Sequence, residues 1–463
     1  LCKPEYMGRT KWENRFVLLR FRKKNYMMFL KDLKRFKMER LYDKLKAYSE
    51  SDFYAFHMPG HKRNKALLGI ELPYDLDITE IDGFDDLHHA DGILKEEQER
   101  AARVFGAEES HFLVNGSTAG ILSAVMGCTH RGDKILVARH CHKSIYHAIY
   151  MNGLVPRYVY PEFDISMHMN GEISKEDVAK ALAAEPDIKA VVIVSPNYDG
   201  VVSDVKGIAE VAHSYGIPLI VDEAHGPHFG FHPAFPERAN DLGADVVINS
   251  LHKTLPSLTQ TAILHINGKL ANRRRIKKYL DMLQSSSPSY IFMASLDACV
   301  DFLDGKCEEA FELYVERLQK FREELEPLQH LQILRTEHYD ISKVVISTAN
   351  ANITSPELAD RLRKEYHLEM EMTGGTYVLA MTTVADTQEG LDRLKAALLE
   401  IDGQLEAKTA VSGSIEISGE LPRLEQYFTP QEAAEREEDG EAEEIPWKES
   451  EGHISLEYAY LYP

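Results

Sequence analysis

Asp245-Val-Val-Ile-Asn-Ser-Leu-His-Lys-Thr-Leu255 is the stretch on which the fold turns. Asp245 to Asn249 is an apolar run of strand length, and Lys253 follows it almost at once. A lysine carried directly past a buried strand is paired, shifted in pKa or used covalently. Taken alone it also reads as a structural residue whose stem snorkels toward water. Upstream, Ile220-Val-Asp-Glu-Ala-His-Gly226 has the same form with an acid in place of the lysine. Its apolar strand delivers Asp222 at the carboxyl end, the edge at which open α/β sheets bind ligands. A carboxylate there can equally cap the segment that follows.

Two further segments share this placement. Asn115-Gly-Ser-Thr-Ala-Gly120 lies between a predicted strand and a helix with Ile121, Leu122 and Val125 on its apolar face. The hydroxyls of Ser117 and Thr118, with the free N–H groups of a helix start, suit a phosphate; simple N-capping is the alternative. His140-Cys-His-Lys-Ser144 follows another strand, and an imidazole here can lie flat over an aromatic ring or be structural. A phosphate-type turn, an acid at one strand end and a lysine at the next, in that order, are the parts of a site that holds pyridoxal phosphate as a Schiff base. An Asp beneath the pyridine nitrogen keeps it protonated, as that cofactor's electron sink requires. No bound metal is expected, since the many histidines show no HExxH or other ligand spacing.

Outward from these segments, strand-length apolar runs alternate with amphipathic helical ones, the signature of a mainly parallel sheet. Seven strands are predicted: His111–Val114, Lys134–Val137, Val155–Tyr160, Ala190–Val194, Pro218–Val221, Asp245–Asn249 and Thr261–Ile266. Helical segments run from Lys269 to about Leu328. A second alternation follows at Lys343–Ser347, Pro356–Tyr366, Thr376–Met381 and Gln388–Glu400. The fold class expected is α/β, a large seven-stranded cofactor domain over 91–305 with a smaller α/β domain over 306–463, and a segment 41–90 packed on the large domain.

The chain of 463 residues has 53 Lys and Arg against 74 Asp and Glu, a net charge of −21 that argues against nucleic acid as a partner. Five cysteines, Cys2, Cys128, Cys141, Cys299 and Cys307, form no zinc spacing and suit reduced thiols. No apolar run nears the ~18 residues of a membrane span, so a cytoplasmic location is expected. Residues 1–40 carry 13 Lys or Arg and four acids and read as a flexible basic extension, with Met38 a possible natural start. Glu432 to Glu451 holds ten acids and two bases and reads as a solvated loop.

At these residues the sequence resembles the pyridoxal-phosphate-dependent ornithine/lysine/arginine decarboxylases, on the aminotransferase-like fold. The resemblance runs over about residues 40 to 400. It takes in Phe56-His-Met-Pro-Gly-His-Lys62, Asp85-Asp-Leu-His88, the turn at Asn115, Cys141-His-Lys-Ser144, the Asp222 strand, Ser250-Leu-His-Lys-Thr254, Leu258-Thr-Gln260 and Ser285-Ser-Ser-Pro-Ser-Tyr290. It implies that Lys253 forms the Schiff base, Asp222 pairs with the pyridine nitrogen, and Ala224 and His142 pack on the two ring faces. Ser117, Thr118, Ser250 and His252 hold the phosphate, and the Ser285 to Ser287 run reaches the phosphate of a neighbouring subunit, implying a homodimer. Only about 40 residues precede the match, so the short, biosynthetic form of the family is implied rather than the form with a receiver-like wing. Tyr458-Ala-Tyr-Leu-Tyr-Pro463 resembles the entry to a longer Pro/Gly-rich stretch, in which the chain stops.

The activity implied is decarboxylation of a basic L-amino acid to its amine and CO₂, arginine first, then lysine or ornithine, in polyamine biosynthesis. Glu80, Asp82, Asp85, Asp86, Glu369 and Glu371 are the acids near the matched motifs. Most are expected to be surface residues or caps rather than readers of the substrate's distal cation. An aminotransferase or α-oxoamine synthase would also suit Val221-Asp-Glu-Ala-His225, but synthases follow the lysine with a Gly-rich turn where this chain has Thr-Leu-Pro-Ser. A non-catalytic cofactor- or polyamine-binding regulator has no physical need for both Lys253 and Asp222.

Overall fold

All seven predicted strands form and join one sheet. In chain order they are β1 (Glu109–Leu113), β2 (Lys134–Ala138) and β3 (Val155–Val159), then, after a small ribbon of β4 (Phe163–Asp164) and β5 (Met169–Asn170), β6 (Val191–Val194), β7 (Leu219–Asp222), β8 (Val246–Asn249) and β9 (Ala262–Ile266). The computed structural model describes residues 40–164, 167–408, 423 and 425–456. The basic extension, apart from Arg40, and the terminal Tyr458–Pro463 lie outside the described residues, as does Cys2.

Sheet order is β1-β9-β8-β7-β6-β2-β3. Neighbours from β8 through β3 run parallel, with Val192 opposite Ile220 and Ile220 opposite Val246. β9 alone runs against its neighbours, pairing Asn249 with Ile263 on one side and Leu113 with Ala262 on the other. The parallel strands β6, β7 and β8 are nearly continuous Val and Ile, as burial on both faces requires. With β9 reversed, its first residues lie at the same edge as the last residues of β1, β2, β6, β7 and β8. The segments after β1, β2, β7 and β8 singled out in the sequence therefore open onto one edge.

The helix Gly116–Cys128 lies along this sheet and packs on the helix Arg273–Leu283. Their approach depends on Gly127, where an added Cβ would stand 2.5 Å from Ile276 Cγ1 and 2.9 Å from its Cα. The expected helical stretch from Lys269 to Leu328 is three helices, Arg273–Leu283, Tyr290–Leu303 and Glu308–Glu324. The segment before residue 90 contributes the helix Leu41–Ser49, whose Leu41 and Leu45 are buried in the same core as Leu296, Val300 and Leu303.

A second sheet is antiparallel, in the order β10 (Gln332–Ile333), β11 (Lys343–Ser347), β13 (Tyr377–Met381), β12 (Met372–Thr373). Val344, Ile346, Val378 and Ala380 face the helices Ser355–Tyr366 and Gln388–Asp402, while Val345, Tyr377 and Leu379 pack on Met167, Met169 and Tyr339. Both faces are covered, which is why these strands lack the alternation of a half-exposed sheet.

The first part of the acidic stretch departs from expectation. Pro430–Glu438 is a helix, not a loop, because Thr429 and Glu432 form a reciprocal capping box with proline in the first turn. Composition drew the loop reading, and the Thr-Pro-Gln-Glu start signal outweighs it. Cys128, Cys141, Cys299 and Cys307 are free thiols, each pushed up in pKa by burial. No described helix is long and apolar enough to cross a membrane.

Candidate active site

A cavity of about 830 Å³ opens at the carboxyl edge of the large sheet. Ser117 and Thr118 line it after β1, His142 after β2, Asp222 and Ala224 after β7, and Ser250, His252 and Lys253 after β8. Eight of the nine expected site residues thus meet in one place. Ser285 lines no part of this cavity. Its N–H donates to Asn115 Oδ1 (3.1 Å) and its carbonyl is 2.8 Å from His88 Nε2, on the exposed flank of the turn.

At one end of the cavity the donors suit an anion. Asn115 is the N-cap of the helix Gly116–Cys128, yet its side chain makes no capping bond to that helix. The first-turn N–H groups are therefore left without an acceptor from the N-cap side chain. Ser117 Oγ and Ser250 Oγ hydrogen-bond to each other across this end. The Nδ1–H of His252 donates to the Thr261 carbonyl (2.9 Å), which fixes its ring and leaves Nε2 for a ligand. Burial lowers the His252 pKa, and an anion would draw it back up.

Further in, Asp222 is 3% exposed and accepts one backbone hydrogen bond, from Ala224 (3.1 Å). Burial raises its pKa, opposed by the charge of Lys253 and by that hydrogen bond. A buried carboxylate so placed is complementary to a cation, and a protonated pyridine nitrogen is one. His142 is the N-cap of the helix Lys143–Asn152, its Nδ1 accepting from Ser144 N–H (3.2 Å). Burial first, and then the charge of Lys253, pushes it down to about 4, so the ring is neutral over the ordinary pH range. Lys253 is lowered in pKa by burial, with Asp222 and Glu371 opposing. These residues fit pyridoxal phosphate: an anion cradle, an acid for the ring nitrogen, a neutral imidazole and a lysine of lowered pKa.

The structure adds residues that sequence reasoning missed. His225 lies between two lysines, its Nε2 2.9 Å from Lys253 Nζ and its Nδ1 2.8 Å from Lys343 Nζ. His225 stood in the quoted Val221–His225 stretch, one position past Ala224. Lys343 gave no signal, since a lysine at the start of an apolar strand reads as its solvated end. Asp199 also lines the cavity, whereas Glu80, Asp82, Asp85, Asp86, Glu369 and Glu371 do not. Asp85 caps a turn instead, accepting N–H bonds from Asp86, Asp91, Gly92 and Leu94.

Comparison with known proteins agrees with this geometry. Residues 39–399 match the family described as Orn/Lys/Arg decarboxylase, major domain. The chain is 34% identical over 439 residues to the arginine decarboxylase of Bacillus subtilis, covering 91% of this chain and 88% of that protein. It is 32% identical over 438 residues to the arginine decarboxylase of Bacillus cereus, covering 91% and 94%. Among solved structures, the constitutive lysine decarboxylase of Escherichia coli superposes with a TM-score of 0.74 at 21% identity, over 93% of this chain and 75% of that one. That likeness places the large sheet and its smaller companion on the aminotransferase-like fold. By the extent of the family match and of these identities, the chain belongs to the Orn/Lys/Arg decarboxylase family.

Proposed function

We infer that this protein is a pyridoxal-phosphate-dependent decarboxylase of a basic L-amino acid, with arginine the first substrate to test, ahead of lysine and ornithine. The observation that carries this reading is the meeting, in one cavity, of Lys253, buried Asp222 and the anion-binding end formed by Ser117, Thr118, Ser250 and His252. The arginine preference is supported by the names of the relatives that match over most of the chain.

When bound, the cofactor supplies a conjugated ring that takes up the electron pair left by departing CO₂. The chain's own residues do the rest. Ser117, Thr118, Ser250, His252 and the N-terminal amides of the helix Gly116–Cys128 hold the phosphate. Asp222 would keep a proton on the ring nitrogen, and Ala224 and His142 would hold the ring from its two faces. Lys253 Nζ would hold the cofactor and, when not bonded to it, would be the group placed to return a proton to the substrate Cα, with His142 beside it. Asp199, a lining carboxylate not needed at the ring nitrogen, offers a contact for the distal cation. Closure of the cavity around a substrate would favour CO₂ loss, because the carboxylate gives up its hydration as its charge disperses.

A homodimer belongs to this reading. Phe53, Tyr54, Phe56, Met58, Leu67, Leu68, Ile70 and Leu72 are exposed within one stretch of chain, Phe56 at 90%. So concentrated an apolar surface is characteristic of a protein interface. Ser285, outside this chain's own cavity, would then serve the partner's phosphate.

The test is product analysis by mass spectrometry after incubation with pyridoxal phosphate and an equimolar mixture of arginine, lysine and ornithine. The expected result is agmatine formed by the intact protein and absent with Lys253→Ala. Amine formation that survives loss of Lys253, or no amine from any of the three, would overturn the reading.

A further inference from the structure

β1 is an edge strand of the large sheet. Its ladder with β9 closes at Leu113 opposite Ala262, and among the described residues no strand lies on its other side. Val114, the next residue, is 2% exposed. The N–H and C=O of a residue so buried both need partners, and the sheet supplies neither. Two glutamine side chains do so instead. Gln284 Oε1 accepts from the Val114 N–H (2.8 Å), and Gln260 Nε2 donates to the Val114 carbonyl (2.6 Å). Gln284 is itself buried, and its Nε2 reaches back to the Phe112 carbonyl (3.4 Å), so one amide serves two residues of the strand.

Both glutamines come from segments that carry other parts of the anion-binding end. Gln260 is exposed at the rim of the cavity it lines, and Thr261 beside it offers the carbonyl that fixes the His252 ring. Its φ is +84°, a left-handed backbone that residues with a Cβ rarely adopt. Glycine would take up that backbone without strain. What glutamine adds at this position is its amide.

Gln284 is the C-cap of the helix Arg273–Leu283, and Ser285 after it donates to Asn115 Oδ1 (3.1 Å). That bond occupies the Asn115 side chain, which makes no capping bond to the helix it precedes. The Val114 N–H belongs to the peptide plane before Val114 and its C=O to the plane after it. Each plane is rigid, so two bonds fix the direction in which the chain enters Asn115. The first amides of the helix Gly116–Cys128 and the Ser117 hydroxyl follow from that direction.

We propose that Gln260 and Gln284 are positioning residues: by holding the two peptide planes that flank Val114, they aim the turn from Asn115 to Thr118 at the phosphate of the cofactor. The proposal rests on the phosphate-binding role given to that turn above, and its test does not depend on turnover.

The cofactor-free protein is titrated with pyridoxal phosphate and, separately, with pyridoxal, which lacks the phosphate, and both dissociation constants are read from the absorbance of the bound ring. The unaltered protein should bind the phosphate form more tightly. Losing one of the two hydrogen bonds, in Gln260→Gly or Gln284→Met, should narrow that preference about tenfold. The change should come from weaker binding of pyridoxal phosphate, with pyridoxal left where it was. Gln260→Asn tolerates the same backbone but is one methylene short of Val114, and it should behave as Gln260→Gly does. Because both glutamines act through one residue, the variant carrying Gln260→Gly and Gln284→Met together should lose less than the product of the single losses. A preference unchanged in any folded single variant, or a loss shared equally by the two ligands, overturns the proposal. Single losses that multiply in the double variant do the same, since the glutamines would then act separately. If Gln284→Met does not fold, the two Gln260 variants decide. An unaltered protein that binds both ligands alike would instead take the phosphate away from this turn, and the reading on which the proposal rests would fall with it.

Discussion

Lys253, Asp222, Ser117 and Thr118 were legible in the sequence because each stands within a few positions of a strand end, and strand ends of an open sheet share an edge; Ser250, His252 and His142 were named by the resemblance. His225 and Lys343 were not, because their meaning lies in a contact between residues 118 positions apart in two sheets. Ser285 stands apart from the cavity and its expected role concerns a neighbouring subunit. The weight placed on Asp222 is itself open to measurement. Asp222→Asn removes the charge but keeps the size, so the protein should still fold and bind the cofactor. Amine formation should fall by about 10²–10³, comparable to removing one preorganised electrostatic contact, in steady-state assays of kcat. A variant with near-normal kcat would remove Asp222 from the chemistry.

Among the elements, all seven strands of the large sheet form at the expected positions, with bounds differing by one or two residues. The two-residue strands β4, β5, β10 and β12 escaped notice because so short a run has no periodicity to read. Close contacts between helices were equally invisible, and they carry two predictions. At Gly127, an alanine has no room against Ile276, so Gly127→Ala should lower stability by about 1–3 kcal/mol, measured by chemical denaturation. Between the helices Ile93–Val104 and Tyr290–Leu303, buried Arg100 contacts both Glu97 and Asp297, and also Asp301 (3.3 Å). Burial, and then the charge of Asp297, holds the Glu97 carboxyl protonated well above the usual range. The folded state thus keeps a proton that the unfolded chain releases near pH 4.3. Stability from this site falls as pH rises from there through the folded-state pKa, by up to about 1.4 kcal/mol per unit. Glu97→Gln should flatten that decline, seen as a smaller drop in Tm between pH 5 and 8 than in the unaltered protein. An equal drop in both would show that Glu97 titrates normally.

For the whole molecule, the alternation of strands and helices indicated the class, while the proposed assembly would be written in its surface. If the apolar stretch around Phe56 is the seam between two copies, Phe56→Asp should convert a dimer to monomer in analytical ultracentrifugation and reduce amine formation with it. A variant that stays dimeric would place the seam elsewhere. Sheet order carries a further consequence. β1 is the first strand made, yet it hydrogen-bonds only to β9, with Leu113 opposite Ala262. The turn from Asn115 to Thr118 therefore waits at an open border until a segment synthesised some 150 residues later arrives to hold it. During translation the central strands can assemble long before this turn is held in place, and Lys343 emerges later still. If the cavity holds the proposed cofactor, a nascent chain is unable to capture it until β9 has left the ribosome, so that vitamin uptake would report on how far synthesis has gone.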